Sequence, residues 1–187
     1  MGAFYANITV ATADTDAVVQ SIRDLERDAY VAPAENGFTV VYDSEEQSER
    51  DTILLLETLT KRFDCAAIAV CIADDDIMFY LLADRGRILE EYNSNPDYDG
   101  SGEAPPSGGD ARLLCAAFRV PEREADVHRI LHTFDSMFES QRHMLLAREM
   151  GLPAMTVSLG YTYIAQGEAP AELAPKLVAI GPAPPPR

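Results

Sequence analysis

Three oxygen-bearing side chains, Asn95, Asp97 and Asp99, stand at alternate positions in Asn95-Pro96-Asp97-Tyr98-Asp99-Gly100, and Glu103 adds a carboxylate shortly after. Oxygen donors at alternate positions followed by a glycine suit a hard cation, because the chain can curl and aim successive side chains inward. Asn95, Asp97, Asp99 and Glu103 are therefore the candidate ligands for calcium or another divalent cation, the one cofactor the sequence suggests.

This spacing matches only the first half of an EF-hand loop. Pro106 stands where the bidentate glutamate should be, and the uncharged Asn95 holds the first position. No clear helix leads in from Tyr92. A solvated acidic connection is the competing reading.

All three histidines fall close together, at His128, His132 and His143. The first two have the i, i+4 spacing that sets two imidazoles on one helix face, as in a metal pair. At about 100° per residue they point away from the stripe Val127, Ile130, Leu131 and Phe134. His143 lies opposite the Phe138, Gln141 and Leu145 face of its own helix, so all three are expected in solvent. Arg129 occupies the place of the general base in H-E-x-x-H.

Ser107-Gly108-Gly109-Asp110 opens a helix and offers backbone N–H groups to an anion. Asp110 in the first turn would repel a phosphate, which favours a plain N-cap. Cys65, Cys71 and Cys115 sit in apolar runs with no histidine nearby in sequence, a pattern of reduced packing thiols. No catalytic set emerges.

These groups must be held by a recognisable succession of elements. Residues 4–11 read as a strand, and Asp14 or Thr15 then caps a helix with Val18, Ile22, Leu25 and Ala29 at helical spacing. After the Asn36-Gly37 turn, Phe38–Tyr42 is a second strand. Ser48 and Asp51 form a capping box for a helix that buries Leu55, Leu56, Leu59 and Phe63. The apolar run Cys65–Ile72 predicts a central strand. Turns at Asp74-Asp75-Asp76 and Asp84-Arg85-Gly86 lead into Ile77–Ala83 and Arg87–Tyr92, a three-stranded meander.

Residues 93–109 form a long loop. A short helix over Asp110–Phe118 and two further helices follow, the first starting at Pro121 and the last ending at Gly151. Met155–Ile164 alternates like a late strand, with Val157, Leu159, Tyr161 and Tyr163 on one side. The expected fold is α+β: a single domain over 1–180, with a mixed sheet of about five or more strands packed against several helices. The Pro-rich 181–187 is expected to be a disordered tail.

The 187 residues carry 31 acidic and 15 basic side chains, a net charge of −16. A surface of that sign repels nucleic acid and anionic membranes and favours a protein partner. Apart from Lys61 and Lys176 every basic residue is Arg, a usage that suggests a GC-rich bacterial source. The N-terminus lacks the basic and apolar blocks of a signal peptide, so the cytoplasm is expected.

Phe38–Asp43, Glu91–Tyr98, Pro106–Ala111 and Gly151–Gly167 together resemble a family of bacterial cytoplasmic proteins with no assigned activity. The resemblance implies a single domain and lends no residue a role. The expected function is a non-enzymatic protein-interaction or regulatory module contacting its partner through the 93–109 loop and the sheet edge. The alternative is a metal- or small-ligand-dependent enzyme centred on that loop, with Glu90, Glu91 or Tyr98 contributing.

Overall fold

The computed structural model describes residues 2–44, 48–98, 104–134 and 137–181. The unbroken apolar run after Cys65 becomes β4 (Ala66–Ala73), which has a paired strand on each side and helices over both faces. Burial on both sides is what its lack of a polar face requires. It is flanked by β1 (Tyr5–Val10) and β5 (Ile77–Asp84), and β6 (Arg87–Asn93) completes the meander.

The remaining strands are β2 (Ala29–Val31), β3 (Thr39–Asp43), β7 (Ser107–Gly108) and β8 (Val178–Ile180). The eight run in the order β7-β6-β5-β4-β1-β3-β2-β8.

Every pairing in this sheet is antiparallel, which corrects the expected mixed sheet. The helix α2 (Glu49–Phe63) does connect two parallel strands, β3 and β4. However, β1 already lies between them and pairs antiparallel with both. The crossover spans an occupied position, so no parallel ladder forms.

One face of the sheet is covered by α1 (Thr15–Asp24) and α2, with Ile8, Val10, Val41, Ala67, Leu81 and Ala83 packed beneath Val18, Ile22, Leu55 and Leu59. The capping box of Ser48 and Asp51 and the Asp14 cap form as the sequence predicts. The other face carries α3 (Ala111–Ala117), α4 (Glu124–His132) and α5 (Glu139–Met150) over Tyr5, Val70, Ile72, Met78, Tyr80 and Tyr92. Helices on both sides of an antiparallel sheet make this an α+β protein. Among the described residues, no helix is long and apolar enough to cross a membrane.

Two segments depart from expectation. The first helix ends at Asp24, and Ala29 begins β2 instead of continuing the helical stripe, because Glu26 turns the chain at φ 53°.

Met155–Ile164 is not a strand: a 3-10 turn over Ala154–Thr156 leads to α6 (Tyr161–Ala165). Buried Asn7 donates to Thr156 O at 2.7 Å and to Leu159 O at 3.1 Å, taking up carbonyls that a ladder would need. The segment thus crosses the sheet at β1, where Gly160 lies so close to Tyr5 that a Cβ would come within 2.9 Å of the Tyr5 Cβ.

Candidate functional site

A β-bulge builds the site. Register shifts between Leu82 and Ala83, so Ile88 pairs with Ala83 while Glu90 pairs with Leu82. Ile88 and Glu90 would otherwise share a face, since strand side chains repeat every second residue. The bulge lets Ile88 pack toward α2 and turns Glu90 and Tyr92 toward α3 and α4.

There the Glu90 carboxylate is fully engaged. Its Oε1 accepts from the backbone N–H of Gly109 and from that of Asp110 at 3.1 Å, and its Oε2 accepts from the Tyr80 hydroxyl at 2.9 Å. Burial raises the Glu90 carboxyl above the usual range, with the hydrogen bonds opposing it. Asp110 in turn caps α3 by accepting from Leu113 N at 3.1 Å. The N-cap is Asp110, while Ser107 lies in β7 and pairs with Asn93 of β6.

Gly108 and Gly109 are required by this close approach. Both have positive φ, 70° and 80°. A Cβ on Gly108 would fall 1.8 Å from Glu91 O, and one on Gly109 would meet the Tyr92 ring at 2.8 Å and His132 Nε2 at 3.1 Å.

The far wall is α4. His132 Nε2 lies 2.9 Å from Gly109 O, and because a carbonyl only accepts, that nitrogen carries the proton. Tyr92 stacks on Tyr80 and donates to Leu131 O at 2.7 Å. His132 meets the edge of Tyr92, and His128 lies beside His132 with ring centroids 4.7 Å apart. Between these walls opens a cleft of about 920 Å³ whose rim carries Asp110, Glu122, Glu124 and Arg112. A second cleft of about 680 Å³ lies on the other side of His132, lined by Asp75, Asp76, Asn95, Tyr98 and Glu139 among others.

Of the predicted cation ligands, Asn95 and Asp97 fall among the described residues. Asn95 Oδ1 accepts from Ala104 N at 3.3 Å and so closes the loop on itself. Asp97 is exposed. Asp99 and Glu103 lie outside the described residues. Among the described residues, no three His, Cys, Asp or Glu side chains gather as a metal-ligand set.

His128 is exposed and His132 half-buried, but His143 is buried, against expectation. α5 turns Glu139, Arg142, His143, Leu146, Ala147 and Met150 inward instead of the Phe138, Gln141 and Leu145 face. Two polar anchors set this rotation. Tyr5 Oη meets His143 Nδ1 at 2.9 Å. The Arg142 guanidinium binds Glu139 at 2.7 Å and donates to the carbonyls of Ile130, Leu131 and Phe134 at the end of α4.

Burial pushes the thiols of Cys65 and Cys115 up to about 11, which leaves them protonated near neutrality and poor nucleophiles. A smaller groove of about 400 Å³ crosses the sheet near Phe4, Ala6, Cys71 and Phe79, and its half-buried carboxylate, Asp43, is held by Arg27.

Glu90, Gly108, Gly109, His128 and His132 stand apart in the sequence, and the local sign of their convergence is the broken alternation of Arg87–Tyr92.

The fold and site together define an α+β protein with an acid-rimmed cleft between a bulged strand and a helix. Comparison with protein-family models, with curated proteins and with solved structures finds no match for the chain.

Proposed function

We propose that the chain is a non-enzymatic interaction module that holds a Lys- or Arg-rich segment of a partner protein in the cleft between β6–β7 and α4. One observation carries the reading: the Glu90 carboxylate and the Nε2 of His132 are engaged with the cleft's own wall, while its rim is left acidic. Glu90 Oε1 and the Nε2 of His132 hold the Gly109–Asp110 backbone, and Glu90 Oε2 accepts from the Tyr80 hydroxyl. Asp110, Glu122 and Glu124 against Arg112 leave the rim negative, on a chain of net charge −16. Complementary charge of this kind speeds encounter and sets orientation.

The bacterial cytoplasm is the compartment this reading assumes, supported by the Arg-rich usage of the sequence and by cysteines that form no disulfide.

The test is fluorescence anisotropy of a labelled Lys/Arg-rich peptide with two double variants of equal charge. Glu122→Gln with Glu124→Gln changes the cleft, and Glu168→Gln with Glu172→Gln changes an exposed region elsewhere. The cleft pair is expected to weaken binding by about thirtyfold, from about 1 kcal/mol for each of two close charge pairs in water, and the remote pair much less. Equal weakening by both would mean that total charge alone attracts the peptide and would overturn the proposal.

A further inference from the structure

We infer that His128 and His132 form a two-imidazole site for a divalent transition-metal ion of the Zn²⁺, Ni²⁺ or Cu²⁺ class, with solvent completing the coordination. The site uses other residues than the carboxylate rim and stands whether or not a peptide occupies the cleft.

Three features of the pair support it. The first is ring separation. A metal–nitrogen bond of about 2.0–2.1 Å, plus about 1.1 Å from nitrogen to ring centre, places each centroid about 3.2 Å from the ion. Two such rings are about 4.5 Å apart at a 90° ligand angle and about 5.2 Å apart at the tetrahedral angle. The observed 4.7 Å lies between these values, with the rings tilted by 38°.

The second feature is the tautomer. Metal-bound histidines donate their other ring N–H to a carbonyl or carboxylate, which fixes the ring and leaves a lone pair for the ion. His132 has this arrangement, with Nε2–H directed to Gly109 O at 2.9 Å, so its lone pair resides on Nδ1. Gly109 eases the approach, since a Cβ there would crowd the imidazole at 3.1 Å from Nε2.

The third is access and charge. His128 is exposed, both rings line the open cleft, and Glu122, Glu124 and Asp110 share that cleft and favour a cation. An ion held by two imidazoles keeps open positions for water. Nitrogen ligands of this type select the later first-row metals over calcium or magnesium.

The experiment uses untagged, metal-stripped full-length chain titrated with Cu²⁺, read by electron paramagnetic resonance, with Zn²⁺ affinity measured by dye competition. The expected result is one ion per chain with micromolar affinity and nitrogen couplings from two imidazoles. His128→Gln should weaken binding at least about tenfold and leave one coupled imidazole. Asp97→Asn, in the oxygen-rich loop, should leave affinity unchanged. Unchanged affinity in His128→Gln, or a spectrum lacking two coupled imidazoles, would overturn the inference. Peptide binding measured on the same metal-stripped protein separates failure of this site from failure of the interaction reading.

Discussion

Tyr5 Oη and His143 Nδ1 meet at 2.9 Å inside the core, joining the first strand to α5 across most of the chain. Their rings stack with centroids 5.8 Å apart. His143 is 1% exposed, and its Nε2 has no hydrogen-bond partner among the described residues. Burial away from water disfavours the charged imidazolium and lowers the His143 pKa from 6.5 to about 4.

This relationship predicts a pH-dependent stability. As pH falls below 6.5 the unfolded chain takes up the proton while the folded chain resists it until about 4. Stability contributed by neutral His143 is therefore complete above about 6.5 and lost as pH falls through that window, on the order of 3 kcal/mol. Urea unfolding at stepped pH should show a shallower decline for His143→Gln than for the parent chain. Parallel curves would refute the assignment.

The two glycines behind the cleft should be intolerant in a way that a turn glycine is not. Gly108→Ala forces a Cβ to within 1.8 Å of Glu91 O. It is expected to cost at least about 2 kcal/mol, as a backbone shift at positive φ must follow. Gly37 has φ 86° with no atom within 4 Å of an added Cβ, so Gly37→Ala should cost only the conformational penalty of about 1–2 kcal/mol. Thermal melts of the two variants compare a steric requirement with a conformational one.

Arg142 should matter more than a surface arginine, since its guanidinium and the Glu139 carboxylate are both buried. Arg142→Met leaves that carboxylate uncompensated and frees the carbonyls at the end of α4, a loss of about 3–5 kcal/mol. The double variant Glu139→Gln with Arg142→Met removes the stranded charge and should recover part of it. A double-mutant cycle in urea measures the difference.

Much of the fold could be read from local pattern. β1, β4, β5 and β6 follow from apolar runs punctuated by turn residues, and α1 and α2 follow from their caps. Less legible were features decided by distant contacts. Nothing local places β1 between β3 and β4. The three-residue strands β2 and β8 are too short to show periodicity, and distant Asn7 joins the local turn bonds of Thr156 and Val157 in keeping Met155–Ile164 out of the sheet. His143 is polar by type and buried because Tyr5, far away in sequence, gives it a partner.

The candidate site was partly legible for the same reason. The Ser107–Asp110 turn and the His128/His132 spacing are visible in the chain. The bulge that turns Glu90 beneath Gly109 is a product of sheet register. In the oxygen-rich loop the Asn95 side chain accepts from Ala104 N, a contact nine residues away that the motif does not show.

The measurement that bears most directly on the interaction reading is an amide NMR titration of the full chain with a Lys/Arg-rich peptide at physiological salt. The account predicts saturable shifts concentrated at Gly108–Arg112 and Glu122–His132, with little change over α1 and α2. Shifts scattered over the whole acidic surface, or centred on the α1–α2 face, would contradict it.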